Sequence, residues 1–306
     1  DSIPKLRVSE YFTLIIPYVL SGTLLCLFRT NGWYAFAVSV PFIVAAYRKW
    51  FKVMLPVHLV IILLVLFVRY PVMHVYEIPQ ADFVESLSIP VQQIARVIVN
   101  DESLSEKEAA FVGQIMDLEQ VSASYQPDVS DNIKNLIRKT GNEYLEANKG
   151  EFMKQWFSIG IRHPKAYFDA YVDQTNGYWY PDVSYSVGLA DGIYPNEFGL
   201  TWQPLIRGNA IAKIKEIIFK LPEMIPLYGL LWSMGFIFWL VLLAAALCLR
   251  MGRPANALVC LPFILLIATL CIATPVATEF RYAYAAFYAL PLLVLSPFLH
   301  ADRLNR

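Results

Sequence analysis

Charge is what this chain has least of: 16% of its 306 residues are Asp, Glu, Lys or Arg, against 57% hydrophobic. Soluble domains typically carry about 25% charged residues, so a fully water-solvated fold of this size would struggle to hide its apolar surface. Cysteine is equally scarce. Cys26, Cys248, Cys260 and Cys271 all lie in apolar segments, leaving the rest of the chain without a disulfide, and no pair has zinc-site spacing. Asn-x-Ser/Thr acceptors are absent, which favours a bacterial over a eukaryotic secretory context. So are a phosphate-binding loop, a dinucleotide fingerprint, a metalloprotease motif and a nucleophile elbow, and with them goes any enzyme class read from those motifs. No cleavable leader pattern opens the chain at Asp1, which reads as a fragment or a processed product.

What is present is unevenly spread. Residues 11–70 and 224–299 are almost continuously apolar, while 71–222 resemble ordinary globular sequence. That middle stretch holds 13 Lys+Arg and 20 Asp+Glu, a net of −7; the remainder holds 12 and 5, a net of +7. An acidic soluble part argues against nucleic acid, whose phosphates need clustered cations. Basic residues flanking apolar segments point to membrane lipid. A spanning helix needs about 20 apolar residues. Segments 11–28, 33–47, 53–68, 224–249, 255–274 and 282–299 qualify, the second and third as short, tilted spans. Lys5, Arg7, Arg48, Lys49, Lys52, Arg250, Arg253, Arg303 and Arg306 then fall on one side, which is cytoplasmic by the positive-inside rule.

The expected fold is therefore an all-α membrane protein of about six transmembrane helices, with a mainly helical extracytoplasmic domain between helices 3 and 4. Its divisions are 1–69 for the first three spans, 70–222 for the domain and 223–306 for the last three. Localisation is a multi-pass cell membrane, with both termini cytoplasmic. Within the domain, Ser105-Glu106-Lys107-Glu108 has capping-box spacing ahead of a helix. Further helices are expected over 131–139, up to Pro164, and from Tyr167 to a stop before Gly177. An aromatic, Gly/Pro-punctuated loop should follow to Arg207, and residues 209–221 read as an interfacial amphipathic helix.

Candidate functional residues lie where charge meets the outer surface. Arg29, beside Asn31, and Arg281, beside Glu279, are disfavoured there by the positive-inside rule, so each needs a reason. A guanidinium matches a lipid phosphate with two parallel hydrogen bonds; the alternative is a structural pairing with Glu279. Arg69 reads as an anchor for its own helix. Residues 86–96 combine a Ser/Pro helix start with Gln92, Gln93 and Arg96. Such a start suits a phosphate or sugar hydroxyls, or is an ordinary cap with solvated amides. Tyr178, Trp179, Tyr180 and Asp182 suit sugar or lipid contact, or seat the domain on the interface. His58 reads as a partner for a neighbouring helix, the alternative being a proton relay.

Phe28-Arg29-Thr30-Asn31-Gly32, the 86–96 stretch, His163-Pro164 with residues 174–182, and Glu279-Phe280-Arg281-Tyr282 with Pro291 together resemble a family of large bacterial membrane proteins taken to be GT-C-type glycosyltransferases. The broader class includes protein mannosyltransferases. The resemblance implies transfer of a sugar from a polyprenyl-phosphate carrier to a cell-envelope glycan or protein on the outer face. It implies no metal and no cofactor beyond the lipid-linked donor. Arg281, Arg29 and Arg96 would hold the lipid phosphate, and Glu279, Asn31, Gln92, Gln93, Tyr178, Trp179, Tyr180 and Asp182 would contact sugar or acceptor. In that class an acid in the first outer loop is the base; residues 30–32 contain none, so the base is expected upstream of Asp1 and the catalytic residue is unassigned. A transporter or lipid flippase, and a non-catalytic membrane scaffold with an extracytoplasmic binding domain, are the competing expectations.

Overall fold

The computed structural model describes residues 8–28, 30–78, 81–182, 193, 196–201, 208–225, 227–273, 282 and 284–299. Among them the structure is helical, with one isolated bridge, Gln126 to Val129, closing a turn. The all-α class expected from the sequence is what the chain adopts.

The helices α1 (Val8–Phe28) and α2 (Thr30–Ala46) are separated by a single residue. The turn expected at 30–32 is instead the first turn of α2. Gly32 makes so tight a reversal possible, because a Cβ there would collide with the Leu25 carbonyl. A 3₁₀ turn, Arg48–Trp50, leads into α3 (Phe51–Phe67), and the stop expected near Val68 does not occur. The helix continues through a π turn at Val68–Val72 into α4 (Met73–Val75), giving 28 unbroken residues, Arg48–Val75. Pro71 is the physical reason: it has no N–H for the carbonyl of Phe67, and the helix widens there instead of ending. These helices pack around Cys26, Phe36, Ile61 and Val65.

The middle of the chain folds as α5 (Ser88–Val99), α6 (Glu106–Ile115), α7 (Leu118–Ser124), α8 (Asp131–Thr140), α9 (Asn142–Ala147), α10 (Lys149–Arg162) and α11 (Pro164–Trp179). The Ser105–Glu108 capping box forms as the spacing requires, and Pro164 opens α11, where its missing N–H costs nothing. Val91, Ile94, Val112, Ile115, Ile133, Ile137, Phe152 and Ile159 fill the core. Each contributes about 1.5–3 kcal/mol relative to an exposed side chain. Two charges are buried with them, and both are paired. Glu108 accepts from Ser105 N (2.9 Å) and Ser158 Oγ (2.9 Å) and pairs with Arg162. Lys134 Nζ lies 3.3 Å from Glu85 and 3.2 Å from Asp131.

The chain then returns through α12 (Asn209–Met224) to α13 (Met234–Arg250), the short α14 (Pro254–Ala257), α15 (Leu261–Ala273) and α16 (Tyr284–Leu295). α2 packs along α15, joining the two apolar groups. α11 ties the middle core to them. Its Tyr167 belongs to that core, while its fully buried Tyr178 sits among Met234, Ile237 and Val241 of α13. This docking is why α11 runs past Gly177, where the sequence suggested a stop. A helical glycine costs only about 1 kcal/mol relative to Ala, less than burying the tyrosine that follows it returns. Gly235 lets the backbone of Tyr180 lie directly against α13, and Trp239 Nε1 donates to the Trp179 carbonyl at 2.7 Å.

Candidate functional site

Two arrangements near these junctions carry polar chemistry. The first is a seam between α5 and α11, the two helices that bear the 86–96 and 174–182 motifs. Gln93 is buried; it donates to the Tyr167 carbonyl (3.1 Å) and accepts from Trp156 Nε1 (2.8 Å). Gln92, also buried, donates to the carbonyls of Gln126 and Val129. Neither amide is solvated, because α5 is covered on several sides by α7, α8, α10 and α11. Gln174 Nε2 donates to the Ser88 carbonyl at 3.1 Å. Arg96 Nη1 pairs with Asp173 at 3.2 Å and reaches the Tyr125 hydroxyl at 3.5 Å. Burial pushes the Tyr125 phenol up, so Arg96 faces a neutral hydroxyl. Ser88 Oγ, Gln92 Oε1, Ser130 Oγ and Gln174 Oε1 are buried along the seam without a protein partner. Buried polar atoms of this kind are ordinarily met by internal water.

The seam therefore uses several candidates for structure. Arg96 pairs with Asp173 two turns along α5 from Ser88. Tyr178 is a core residue, and Trp179 donates its Nε1 proton to Thr175 Oγ1 at 3.2 Å. Asn31 is 4% exposed at the start of α2. Tyr180, half exposed, and the exposed Asp182 remain on the surface at the end of α11. Arg29, Glu279 and Arg281 lie outside the described residues.

The second arrangement was not singled out from the sequence. Along the Arg48–Val75 helix, Val60, Leu63, Leu64, Leu66, Phe67, Tyr70 and Pro71 line an apolar hollow of about 600 Å³. Tyr70 and Pro71 also belong to a second hollow of about 780 Å³, lined further by Arg69, Met73, His74, Glu77 and Ile78. The two share Tyr70 and Pro71, which lie in the π turn, a feature frequent at functional sites. Arg69 acts as the expected anchor, donating through Nη2 to the Cys26 carbonyl at 3.1 Å, near the end of α1. It also brings its cation to the polar hollow. Glu77 sits there with φ at 51°, a left-handed conformation rare for a non-glycine residue. The signal the sequence offered was Pro71 inside an apolar run, followed closely by His74 and Glu77.

His58 is accounted for structurally. A carbonyl can only accept, so Nδ1 donates to Met54 O (2.7 Å), and Nε2 is hydrogen-bonded with the Tyr18 hydroxyl (2.9 Å). Among the described residues no group of three or more His, Cys, Asp or Glu could hold a metal.

Residues 8–305 match a family of unknown function, DUF6020, and the chain belongs to it. No curated protein and no solved structure matches.

Proposed function

We propose that this member of the DUF6020 family is a multi-pass membrane protein that handles a polyprenyl-phosphate-linked sugar, in a GT-C-type transfer to a cell-envelope glycan or protein. In this reading six apolar segments cross the bilayer, both termini are cytoplasmic, and residues 70–222 stand outside. One observation carries it. The Arg48–Val75 helix is long and apolar enough to span, only 22% of its most apolar window is buried, and its residues line both an apolar hollow and one bearing Arg69, His74 and Glu77. A soluble protein buries such a helix; a bilayer solvates it. An isoprenoid chain matches the apolar hollow, and an anionic phosphate matches the cationic end.

The chemistry follows from the transfer itself. The bond between the sugar's anomeric carbon and the carrier phosphate breaks, a bond from that carbon to the acceptor oxygen forms, and the acceptor proton needs a base. In this reading Glu77, which lines the same hollow as Arg69, takes it. Arg69, with Arg29 and Arg281 from the family resemblance, offsets the charge developing on the departing phosphate. The full-length protein in nanodiscs, given a polyprenyl-phosphate sugar, tests this. Glu77→Gln should lower transfer about 10²-fold or more while leaving cross-linking of a photoreactive carrier to residues 60–71 intact. Arg281→Ala should cut transfer without unfolding. Wild-type turnover in both variants overturns the assignment.

The exposed stripe Met153, Phe157 and Ile161 on α10, with Phe168 on α11, favours a second reading, a scaffold whose outer domain holds a protein partner. Absence of any transfer, with partner capture abolished by Phe157→Asp, would select it.

A further inference from the structure

Among the described residues, α12 packs chiefly on the Tyr228–Trp232 turn that follows it. Ile214, Ile217 and Ile218 are 51%, 53% and 44% exposed. Spacing at 3.6 residues per turn places them, with Ile211 and Leu221, on one stripe. The same period sets Lys213 and Lys220 at one border of that stripe and Lys215 at the other, with Glu216 near the opposite pole. This order carries information. A helix facing another protein has no reason to divide its cations between the two edges of its apolar face and keep its acid furthest away. A helix lying flat in a lipid interface does, since lysines at the waterline reach sideways to phosphates while their stems cover acyl chain. Glu216 holds Lys220 at 2.7 Å, a pair at helical spacing that still leaves the lysine's other protons to an outside acceptor.

We infer that α12 is a surface-binding helix for anionic phospholipid, lying in the plane of the outer leaflet with its isoleucine stripe down and its three lysines on lipid phosphates. This rests on the membrane reading above. The chain direction agrees: α12 passes by residues 225–233 to α13, and the intervening turn brings the Tyr228 and Trp232 rings within 6.3 Å of each other at a tilt of 60°, aromatic types enriched at bilayer interfaces. α12 would thereby fix the height at which the outer domain meets a lipid substrate.

The test uses the full chain in nanodiscs of phosphatidylcholine alone or mixed equally with phosphatidylglycerol. A benzophenone amino acid replaces Ile217, Glu216 or, as a control, the exposed Leu63 of α3. The expected result is acyl-chain cross-linking from positions 217 and 63 and none from 216. Phosphatidylglycerol should be captured several-fold over its share at 217, and that excess should fall toward parity in Lys213→Gln/Lys215→Gln/Lys220→Gln. Peptide cross-links from 217 with lipid cross-links from 63 overturn the α12 assignment and leave the membrane reading standing. Loss of lipid cross-links at 63 overturns the membrane reading itself. Equal capture of both lipids at 217 in the unaltered helix overturns the anionic preference.

Discussion

At the scale of single residues, the polar side chains of α5 show how a sequence misleads about exposure. Gln92 and Gln93 beside Arg96 read as solvated or ligand-facing because amides and cations usually are. In the fold their helix is enclosed, and the same groups satisfy backbone carbonyls around it. Gln93→Leu should therefore cost about 1–3 kcal/mol, the penalty for leaving Trp156 Nε1 without its acceptor, seen as a lower midpoint in thermal unfolding of the purified protein. An unchanged midpoint would mean that those bonds are not made. Asp82 gives a pH dependence. Its hydrogen bonds from Arg138, at 2.9 and 3.0 Å, hold its carboxyl below the ordinary carboxylate range. A group whose pKa is depressed on folding stabilises the fold above its unfolded pKa, and that stabilisation fades as pH falls through the folded value. The acidic domain should thus lose stability as pH falls below the ordinary carboxylate range, and Asp82→Asn should flatten that limb of the unfolding curve.

Among the elements, those fixed by local chemistry were legible. The capping box of α6, the α8 periodicity and the end of α10 just before Pro164 each depend on side chains within one or two turns of one another. Elements decided by distant contacts were not. Nothing local says that α11 survives Gly177; the reason is the surface of α13, which takes Tyr178 and the Tyr180 backbone. The π turn at Pro71 was equally hidden, since a proline in an apolar run reads as a stop unless the helix has room to widen. Gly235→Ala tests the α11–α13 junction. Its methyl would strike the Tyr180 backbone, and overpacking of this kind typically costs about 1–3 kcal/mol. The expected outcome is faster proteolysis of the acidic domain at unchanged helix content, measured by limited digestion and circular dichroism. Equal digestion rates would show that the helices do not meet there.

For the whole molecule, composition divides the chain into two apolar stretches and an acidic middle, and α1, α3 and α13 expose apolar side chains. What the sequence left open was how the parts join. α2 along α15 links the two apolar groups, and α11, against α13 and α15, links the second of them to the acidic domain. The most direct measurement of this account is the sidedness of the acidic domain. Lys165, whose side chain is 87% exposed on α11, is replaced by cysteine and treated in intact cells with a membrane-impermeant maleimide. The account predicts labelling without permeabilisation; labelling that appears only after the cells are opened would contradict it.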